Sequence, residues 1–280
     1  MEKIAIIMTC YNRKEKTLKC LSKLFQNQYI VIDFDVFLTD DGSTDGTSEA
    51  VHNLYPSVKV LSGNGKLFWA GGMNLAWNAA IRHGGYDGFL WLNDDTVLLN
   101  TLWSELLAAD EYSLKNFGKG GIYIGSTLDM TESEITYGGW RFVNKIRNKL
   151  NIIKPNGTFV NCQIGNGNVT YVSKDVVRKL GSFYPKYVHG ADFDYTYWAY
   201  KNKFPVFILR KYVGLCDNDH KSHKENLLKR NLWQRIQYLY SPTGMQMKTA
   251  LLFQKRFFWY RVPYLYITYW IKALCPKFIK

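Results

Sequence analysis

Hydrophobic and polar positions in the first hundred residues alternate between two periodic patterns. Short apolar runs that are typical of buried strands occupy residues 3–9, 35–39, 58–61 and 89–92. Apolar residues at helical spacing cover residues 14–27, 46–54 and 73–82. Strands that alternate with helices are joined by right-handed crossovers, so this order predicts a largely parallel sheet flanked by helices. We therefore expect an α/β fold.

The pattern changes beyond about residue 120. Short β-like pieces between loops rich in Gly and Asn cover residues 121–126, 135–143 and 169–172. Helices are predicted at 174–180 and 193–201, and a strand at 206–209. Thirteen aromatic residues, interleaved with Lys and Arg, then lie between Trp233 and Phe278. We expect residues 1–225 to form one domain and residues 226–280 to form a helical extension.

Positive charge is concentrated in the last sixty residues. The net charge is +13, and residues 221–280 contribute twelve Lys and Arg against one acid, Glu225, which leaves +2 for the rest. The uncharged stretch 262–271 is too short for a spanning helix, which needs about 20 apolar residues. A basic, aromatic segment suits an anionic membrane surface. The alternative is a helical cap with solvated charges. A nucleic-acid partner is not expected, because no recognition motif accompanies the charge.

The cysteine pattern and the first residues bear on the cellular compartment. Five widely spaced cysteines form no Cys-x-x-Cys pair, which argues against a disulfide framework or a zinc site and favours a reducing compartment. The apolar run that begins the chain is too short for a signal peptide. These features predict a cytoplasmic protein. The basic aromatic segment predicts that it is held peripherally at the inner face of the plasma membrane.

Oxygen-bearing side chains follow the apolar run 89–92 directly, as Asn93, Asp94 and Asp95. Charged groups at the end of a buried strand are costly to desolvate unless something pairs with them. Ligands of open α/β sheets bind beyond the carboxyl ends of the strands, and Mg²⁺ or Mn²⁺ prefers oxygen ligands together with substrate phosphates. The pattern predicts a metal–phosphate site. The alternative is a helix capped by Asp95 or Thr96.

Two other strand ends carry similar groups. Thr9 and Tyr11 lie at the end of the first strand, and Asp40 and Asp41 begin a turn-rich loop after the second. A later loop and helix start contain residues suited to phosphate or sugar, namely Lys66, Trp69, Gly71, Gly72 and Asn74. Each feature alone is compatible with turn chemistry or plain packing. In this order they predict a nucleoside-diphosphate pocket.

With these motifs the chain resembles family 2 glycosyltransferases of the GT-A fold, over residues 3–225. The resemblance implies a Rossmann-like, mostly parallel mixed sheet flanked by helices. It also implies that Thr9 and Tyr11 flank the nucleobase and that Asp41 contacts the base or ribose. Asp94 would lie near the ribose or donor sugar, and Asp95 would bind Mg²⁺ or Mn²⁺. Asn93 departs from the family's usual Asp-x-Asp.

The acceptor side of the family is matched by the segment from Gly167 and by residues 189–194. The family's Glu-Asp-x-Asp element implies that Asp192 is the catalytic base and Asp194 its supporting carboxylate. Ala191 replaces the usual Glu, and the alternative role of the two carboxyls is to cap a helix. A histidine that completes the metal shell is expected at His220 or His223, with His220 preferred.

The predicted function is metal-dependent, inverting transfer of rhamnose or another hexose from a UDP or dTDP donor. The basic aromatic segment suggests an acceptor held at a membrane, namely a hydroxyl of a lipid-linked saccharide in bacterial surface polysaccharide synthesis. The segments 69–74 and 93–96 resemble those of rhamnosyl- and galactofuranosyltransferase-like bacterial members. Lys66 would contact the nucleotide, and Trp69, Gly72, Asn74 and Asp194 the donor sugar or the acceptor. Two alternatives remain, a nucleotidyltransferase and a non-catalytic membrane-surface binding module. The first usually has a Gly-rich loop where Thr9-Cys-Tyr-Asn stands, and the second needs neither Asp95 nor Asp192.

Overall fold

A computed structural model describes residues 1–26, 32–146, 148–218 and 223–278. The chain divides into two compact units. The sheet unit comprises Met1–Pro185 and Ala191–Asn218, and the helical unit comprises Lys186–Gly190 and Asp219–Lys280.

Thirteen strands occur among the described residues, all in the sheet unit. They are β1 (Lys3–Cys10), β2 (Asp33–Asp40), β3 (Lys59–Ser62), β4 (Gly88–Leu92), β5 (Val97–Leu98), β6 (Ile122–Leu128), β7 (Ile135–Tyr137), β8 (Gly139–Asn144), β9 (Lys149–Ile153), β10 (Val160–Asn161), β11 (Ile164–Gly165), β12 (Val169–Ser173) and β13 (Val206–Leu215). The large sheet has the order β10-β13-β6-β12-β4-β1-β2-β3, with β5 on β13 and β7 on β6. Its β3-β2-β1-β4 half is parallel, and β12 runs antiparallel between β4 and β6. The predicted α/β fold with a mostly parallel sheet is confirmed.

The register brings the ends of the first half together at one edge. Cys10 pairs with Asp40 across β1 and β2, and Ile7 pairs with Trp91 across β1 and β4. Since these strands run in the same direction, the segments that follow Cys10, Asp40 and Leu92 leave the sheet at that edge. The motifs that the sequence placed at strand ends therefore share one side of the molecule.

Six helices flank the sheet within the described part of this unit. They are α1 (Lys14–Gln26), α2 (Thr47–Leu54), α3 (Phe68–His83), α4 (Leu102–Phe117), α5 (Lys174–Leu180) and α6 (Ala191–Lys201). The core between them and the sheet includes Ile4, Ile6 and Met8, which are completely buried. Sequence analysis missed α4, although Leu102, Leu106 and Ala109 repeat at helical spacing and are buried.

The start of α3 corrects the helix predicted over residues 73–82. The helix begins at Phe68, so Trp69, Gly72 and Asn74 lie in its first turns. Two successive glycines suggested a loop, but Gly72 has a packing reason: a Cβ there would overlap the Thr9 hydroxyl. Thr39 Oγ1 also donates to Gly72 O at 2.8 Å. Helix α3 therefore lies against β1 and β2 at a distance that only glycine permits.

The helical unit is built from α7 (His223–Leu228), α8 (Leu232–Tyr240), α9 (Met247–Phe257) and α10 (Val262–Leu274), with 3₁₀ turns at Trp259–Arg261 and Pro276–Phe278. Its small core contains Leu227, Leu239, Met247 and Ala273. A reciprocal capping box between Asn231 and Gln234 starts α8. Among the residues described, no helix is both long and apolar enough to cross a bilayer.

Candidate active site

The carboxylate pair at the end of β4 shares one cation, the Arg13 guanidinium. Arg13 Nη1 lies 2.8 Å from Asp95 Oδ2 and 3.4 Å from Asp94 Oδ1. Thr17 Oγ1 donates to Asp94 Oδ2 at 3.2 Å, and the Cys216 thiol lies 3.5 Å from Asp95 Oδ1. Each of the four carboxylate oxygens thus faces a donor.

Burial dominates the electrostatics of this pair. Asp94 is only 5% exposed, and its desolvation raises the pKa of the carboxyl to about 7. The Arg13 charge acts in the opposite direction, the neighbouring Asp95 charge raises the pKa further, and the hydrogen bonds from Thr17 and Arg13 lower it. A positive charge beside the pair therefore stabilises the ionised form of the buried Asp94 carboxyl.

The donor chemistry of the pair fits a divalent cation. Hard oxygen ligands are those that Mg²⁺ and Mn²⁺ prefer, and the guanidinium between Asp94 and Asp95 marks where a cation is stabilised. The described ranges contain no group of three or more His, Cys, Asp or Glu side chains that could hold a metal ion. His220 lies outside the described residues. His223 lies in the helical unit, where its Nδ1 is 3.1 Å from Tyr238 Oη.

A continuous line of contacts joins β4 to Asp192. Trp69 Nε1 donates to Asn93 Oδ1 at 2.8 Å. The Trp69 ring lies so close to Gly167 that a Cβ on Gly167 would be 2.5 Å from it. Gly167 N in turn donates to Asp192 Oδ2 at 2.8 Å. Trp69 therefore stands between the carboxylate pair and Asp192, and the Asn93 amide oxygen is the acceptor that orients its ring.

Asp192 lies in the first turn of α6, where helical amides favour negative charge. Burial nevertheless raises the pKa of Asp192 to about 6, against the hydrogen bonds from the backbone amides of Gly167, Phe193 and Asp192. Asp194, one position beyond Phe193, is almost fully buried at 1% exposure. The two carboxyls therefore occupy different environments, and Asp192 is the more accessible of the two.

The residues predicted to contact the nucleotide fall into two classes. Tyr11 and Lys66 are exposed at the sheet edge and the following loop, so both are available to a ligand. Asp41 is buried and accepts hydrogen bonds from three backbone amides, those of Gly65, Leu67 and Phe68. It thereby fixes the loop that carries Lys66 and leads into α3.

Thr9 and Asn74 make internal contacts. Thr9 Oγ1 donates to Thr39 O at 3.1 Å and packs against Gly72. Asn74, in the second turn of α3, accepts from Asn78 Nδ2 through its carbonyl oxygen at 2.8 Å and its side chain at 3.2 Å. The Thr9 contact joins β1 to α3, whereas the Asn74 contacts lie within α3 itself.

Sequence reasoning missed three side chains of the site. Arg13 follows Tyr11 and Asn12 directly after β1. Residues just beyond the carboxyl end of a strand lie at the edge where ligands bind, so the argument that selected Tyr11 also applies to Arg13. Thr17 lies four positions later in the first turn of α1, where its backbone N–H donates to Arg13 O. Cys216 carried no signal, because it reaches Asp95 only through the pairing of β13 with β5.

The family follows from a direct match. Residues 5–164, more than half of the chain, match the model of "Glycosyl transferase family 2". The chain belongs to this family. Membership of this family favours sugar transfer over the nucleotidyltransferase and non-catalytic alternatives. No curated protein matches the sequence.

Solved structures of glycosyltransferases share the fold. A crystal structure of S. aureus TarS 1-349 in complex with UDP-GlcNAc has a TM-score of 0.60 at 15% identity, covering 97% of this chain and 79% of that one. The mannosyltransferase PcManGT from Pyrobaculum calidifontis, in complex with GDP-Man and Mn²⁺, has a TM-score of 0.55 at 15% identity, covering 97% and 75%. The predicted GT-A fold is confirmed.

This chain spans less than two thirds of the length of two TarS chains that it matches. The chain spans 66% of another TarS 1-349 structure, with a TM-score of 0.56 and 14% identity over 85% of this chain. It spans 43% of the longer TarS chain, with a TM-score of 0.57 and 15% identity over 91% of this chain.

Proposed function

We propose that this glycosyltransferase is metal-dependent and inverting, and that it transfers rhamnose or another hexose from a UDP or dTDP donor to a hydroxyl of a lipid-linked saccharide. The observation that carries the proposal is the line of contacts from the Asp94–Asp95 pair through Trp69 to Asp192. It joins a pair suited to a diphosphate-bound cation to a separate carboxyl suited to proton transfer. The setting would be bacterial surface polysaccharide synthesis.

Structural neighbours support the donor class. Two TarS structures contain UDP and UDP-GlcNAc, and the mannosyltransferase structure contains GDP-Man and Mn²⁺. All three are nucleoside diphosphates or their sugars. For this chain, exposed Tyr11 and Lys66 are the side chains proposed to meet the base and the diphosphate.

The proton-transfer step assigns Asp192 as the general base. Its Oδ2 is held by Gly167 N, so Oδ1 is the atom proposed to accept the proton of the acceptor hydroxyl. As that proton leaves, the acceptor oxygen bonds to the anomeric carbon, and the carbon–oxygen bond to the diphosphate breaks. The products are the glycoside and a nucleoside diphosphate, and attack from the opposite face inverts the anomeric centre.

The carboxylate pair has an electrostatic role. Asp95, with Asp94 beside it, would hold Mg²⁺ or Mn²⁺, and His220 is proposed to complete the shell. A divalent cation supplies Lewis-acid stabilisation of charge on the leaving diphosphate. Trp69 separates the pair from Asp192, so we propose that its ring forms a wall of the space for the transferred sugar.

A donor panel tests this function. Purified protein is incubated with UDP-, dTDP- and GDP-hexoses and Mn²⁺, and nucleotide release is measured with and without an extract of lipid-linked saccharides. One donor class should be consumed, and Asp192→Asn should lower the rate about 10²–10⁴-fold while retaining donor binding. The exposed Glu49→Gln on α2 serves as the matched control. Release of nucleotide from none of the donors would refute the proposal.

We infer further that the helical unit binds an anionic membrane surface, the location of a lipid-linked acceptor. Large apolar side chains are exposed in this unit, with Trp233 at 73% and Trp259 at 76%. On α10 four exposed apolar residues fall at helical spacing, namely Tyr264, Ile267, Ile271 and Leu274, and Tyr266 is exposed beside this stripe. The opposite face of α10 packs internally through Tyr269, Trp270 and Ala273.

Charge favours a lipid partner over a protein partner for this surface. Residues 221–280 carry a net +11, counted as twelve basic residues minus Glu225. An apolar stripe beside basic residues suits the boundary between headgroups and acyl chains, where each Lys or Arg contributes about 1 kcal/mol. We propose a peripheral position at the inner face of the plasma membrane.

Vesicle sedimentation tests the membrane proposal. The protein should pellet with vesicles that contain phosphatidylserine, and much less with phosphatidylcholine alone or at high salt. The double variant Tyr264→Asp, Ile267→Asp should lose binding. Leu114→Asp, which alters an exposed apolar residue of α4 in the sheet unit, should keep it. Wild-type protein that stays in the supernatant with anionic vesicles would overturn the proposal.

A further inference from the structure

The backbone of Arg13 is held by a hydrogen bond, whereas its side chain is partly exposed to solvent. Its carbonyl oxygen accepts from Thr17 N at 2.9 Å as α1 begins. The preceding residue, Asn12, is fixed by Ser43 and Thr44, through bonds of 2.8 Å and 2.7 Å. The Arg13 side chain is 43% exposed. Its guanidinium can therefore change partners without a change in the backbone.

The oxygens of the carboxylate pair are divided between the Arg13 guanidinium and two uncharged neighbours. Thr17 and Cys216 face the outer oxygens, Asp94 Oδ2 and Asp95 Oδ1. Arg13 Nη1 contacts the two others, Asp94 Oδ1 and Asp95 Oδ2. A divalent cation held by Asp94 and Asp95 would compete with Arg13 for these carboxylates and would repel the guanidinium.

We propose that Arg13 is a positioning residue that holds the Asp94–Asp95 pair in the metal-free enzyme, and that the divalent cation displaces it onto the donor's diphosphate. The inference rests on the proposed function, because it requires a diphosphate as the second partner. A guanidinium matches phosphate oxygens in charge and in its fork of donors. The half-exposed side chain has the length and freedom to make the exchange.

The exchange couples metal binding to donor binding. Metal alone must break the ion pair of Arg13, whereas metal together with a diphosphate provides Arg13 with a new partner. The two ligands therefore bind cooperatively, and the coupling is reciprocal. Without a donor, the Arg13 side chain would stay paired with Asp94 and Asp95.

Mn²⁺ binding to the full-length protein tests this inference without an activity assay. Free Mn²⁺ is measured by electron paramagnetic resonance, in the absence and presence of UDP or dTDP. In Arg13→Gln, Mn²⁺ alone should bind about fivefold to tenfold more tightly than in wild type, as expected for two coupled charges. The nucleotide should improve Mn²⁺ affinity less than in wild type. Arg13→Lys keeps the positive charge but loses the fork of donors, so Mn²⁺ alone should bind as weakly as in wild type, and the nucleotide should improve Mn²⁺ affinity only in part.

Lys19→Gln is the matched control, because it removes one exposed positive charge from α1, the helix that follows Arg13 directly. It should leave Mn²⁺ affinity unchanged, which excludes a general effect of net charge. Unchanged or weaker Mn²⁺ binding in Arg13→Gln would overturn the inference, since a purely structural role predicts weaker binding. If wild type binds Mn²⁺ but neither nucleotide, the proposed function fails instead. The Mn²⁺ affinities of wild type and Arg13→Gln without nucleotide still test whether the cation displaces Arg13.

Discussion

Two carboxyls of the site, Asp94 and Asp192, have raised pKa values for the same main reason and different neighbours. Burial raises both, to about 7 for Asp94 and about 6 for Asp192. The rise in the pKa of Asp94 is opposed mainly by the charge of Arg13, whereas the rise in the pKa of Asp192 is opposed by hydrogen bonds from backbone amides. A base is most effective when its pKa lies near the working pH, so the environment of Asp192 suits proton transfer.

The pH dependence of the reaction should report Asp192. A carboxyl with a pKa of about 6 is protonated below that pH, so kcat/KM should fall as the pH is lowered through about 6. Asp192→Asn should abolish this limb of the profile together with most of the activity. Steady-state rates between pH 5 and 8 provide the measurement. A wild-type profile that is flat over this range would contradict the assignment.

The same shift predicts a stability effect of opposite sign. The folded protein holds the proton of Asp192 more tightly than the unfolded chain does, so stability is lost as pH rises from the ordinary carboxyl pKa through 6. Asp192→Asn should therefore raise the Tm at pH 8, with a gain that shrinks toward pH 4.5. Scanning calorimetry at both pH values checks this, and a variant that is less stable at pH 8 would count against the burial argument.

At the level of elements, α3 shows both the reach and the limit of sequence reasoning. The polar residues after β1, β2 and β4 were predictable, because an apolar strand that ends in carboxylates indicates a sheet edge. The start of α3 was not, because two glycines suggested a loop. Gly72 is explained only by the nearness of Thr9, which belongs to a strand sixty residues earlier. Local propensity carries no information about such a contact.

The two glycines of α3 offer a matched pair of variants. Gly72→Ala should destabilise the protein by about 1–3 kcal/mol, because the new methyl group overlaps Thr9 and must push α3 from the sheet. Gly71→Ala meets only Leu67, whose Cβ lies 3.1 Å away, and helical alanine is preferred over glycine. It should be near neutral. Urea unfolding distinguishes them, and equal stabilities would contradict the packing argument.

For the whole molecule, the pairings that complete the site span long sequence distances. Asp95 meets Arg13 from 82 positions away, and Asp192 meets Gly167 from 25. The second pairing depends on β12, which runs antiparallel beside β4 and places Gly167 next to Trp69. The sequence predicted which residue types gather at the edge, but it could not predict these partners, because they follow from strand order and register. Charge segregation, by contrast, was visible in the sequence alone.

The most direct test of the central claim is a calorimetric titration with UDP, dTDP and GDP, each with and without Mn²⁺. Wild type is compared with Asp95→Ala and with the surface control Glu49→Gln. We predict saturable, Mn²⁺-dependent binding of one nucleotide by wild type and the control, and loss of that binding in Asp95→Ala. If none of the three nucleotides binds to wild type, or if Asp95→Ala binds as wild type does, the proposed donor site at the end of β4 is wrong.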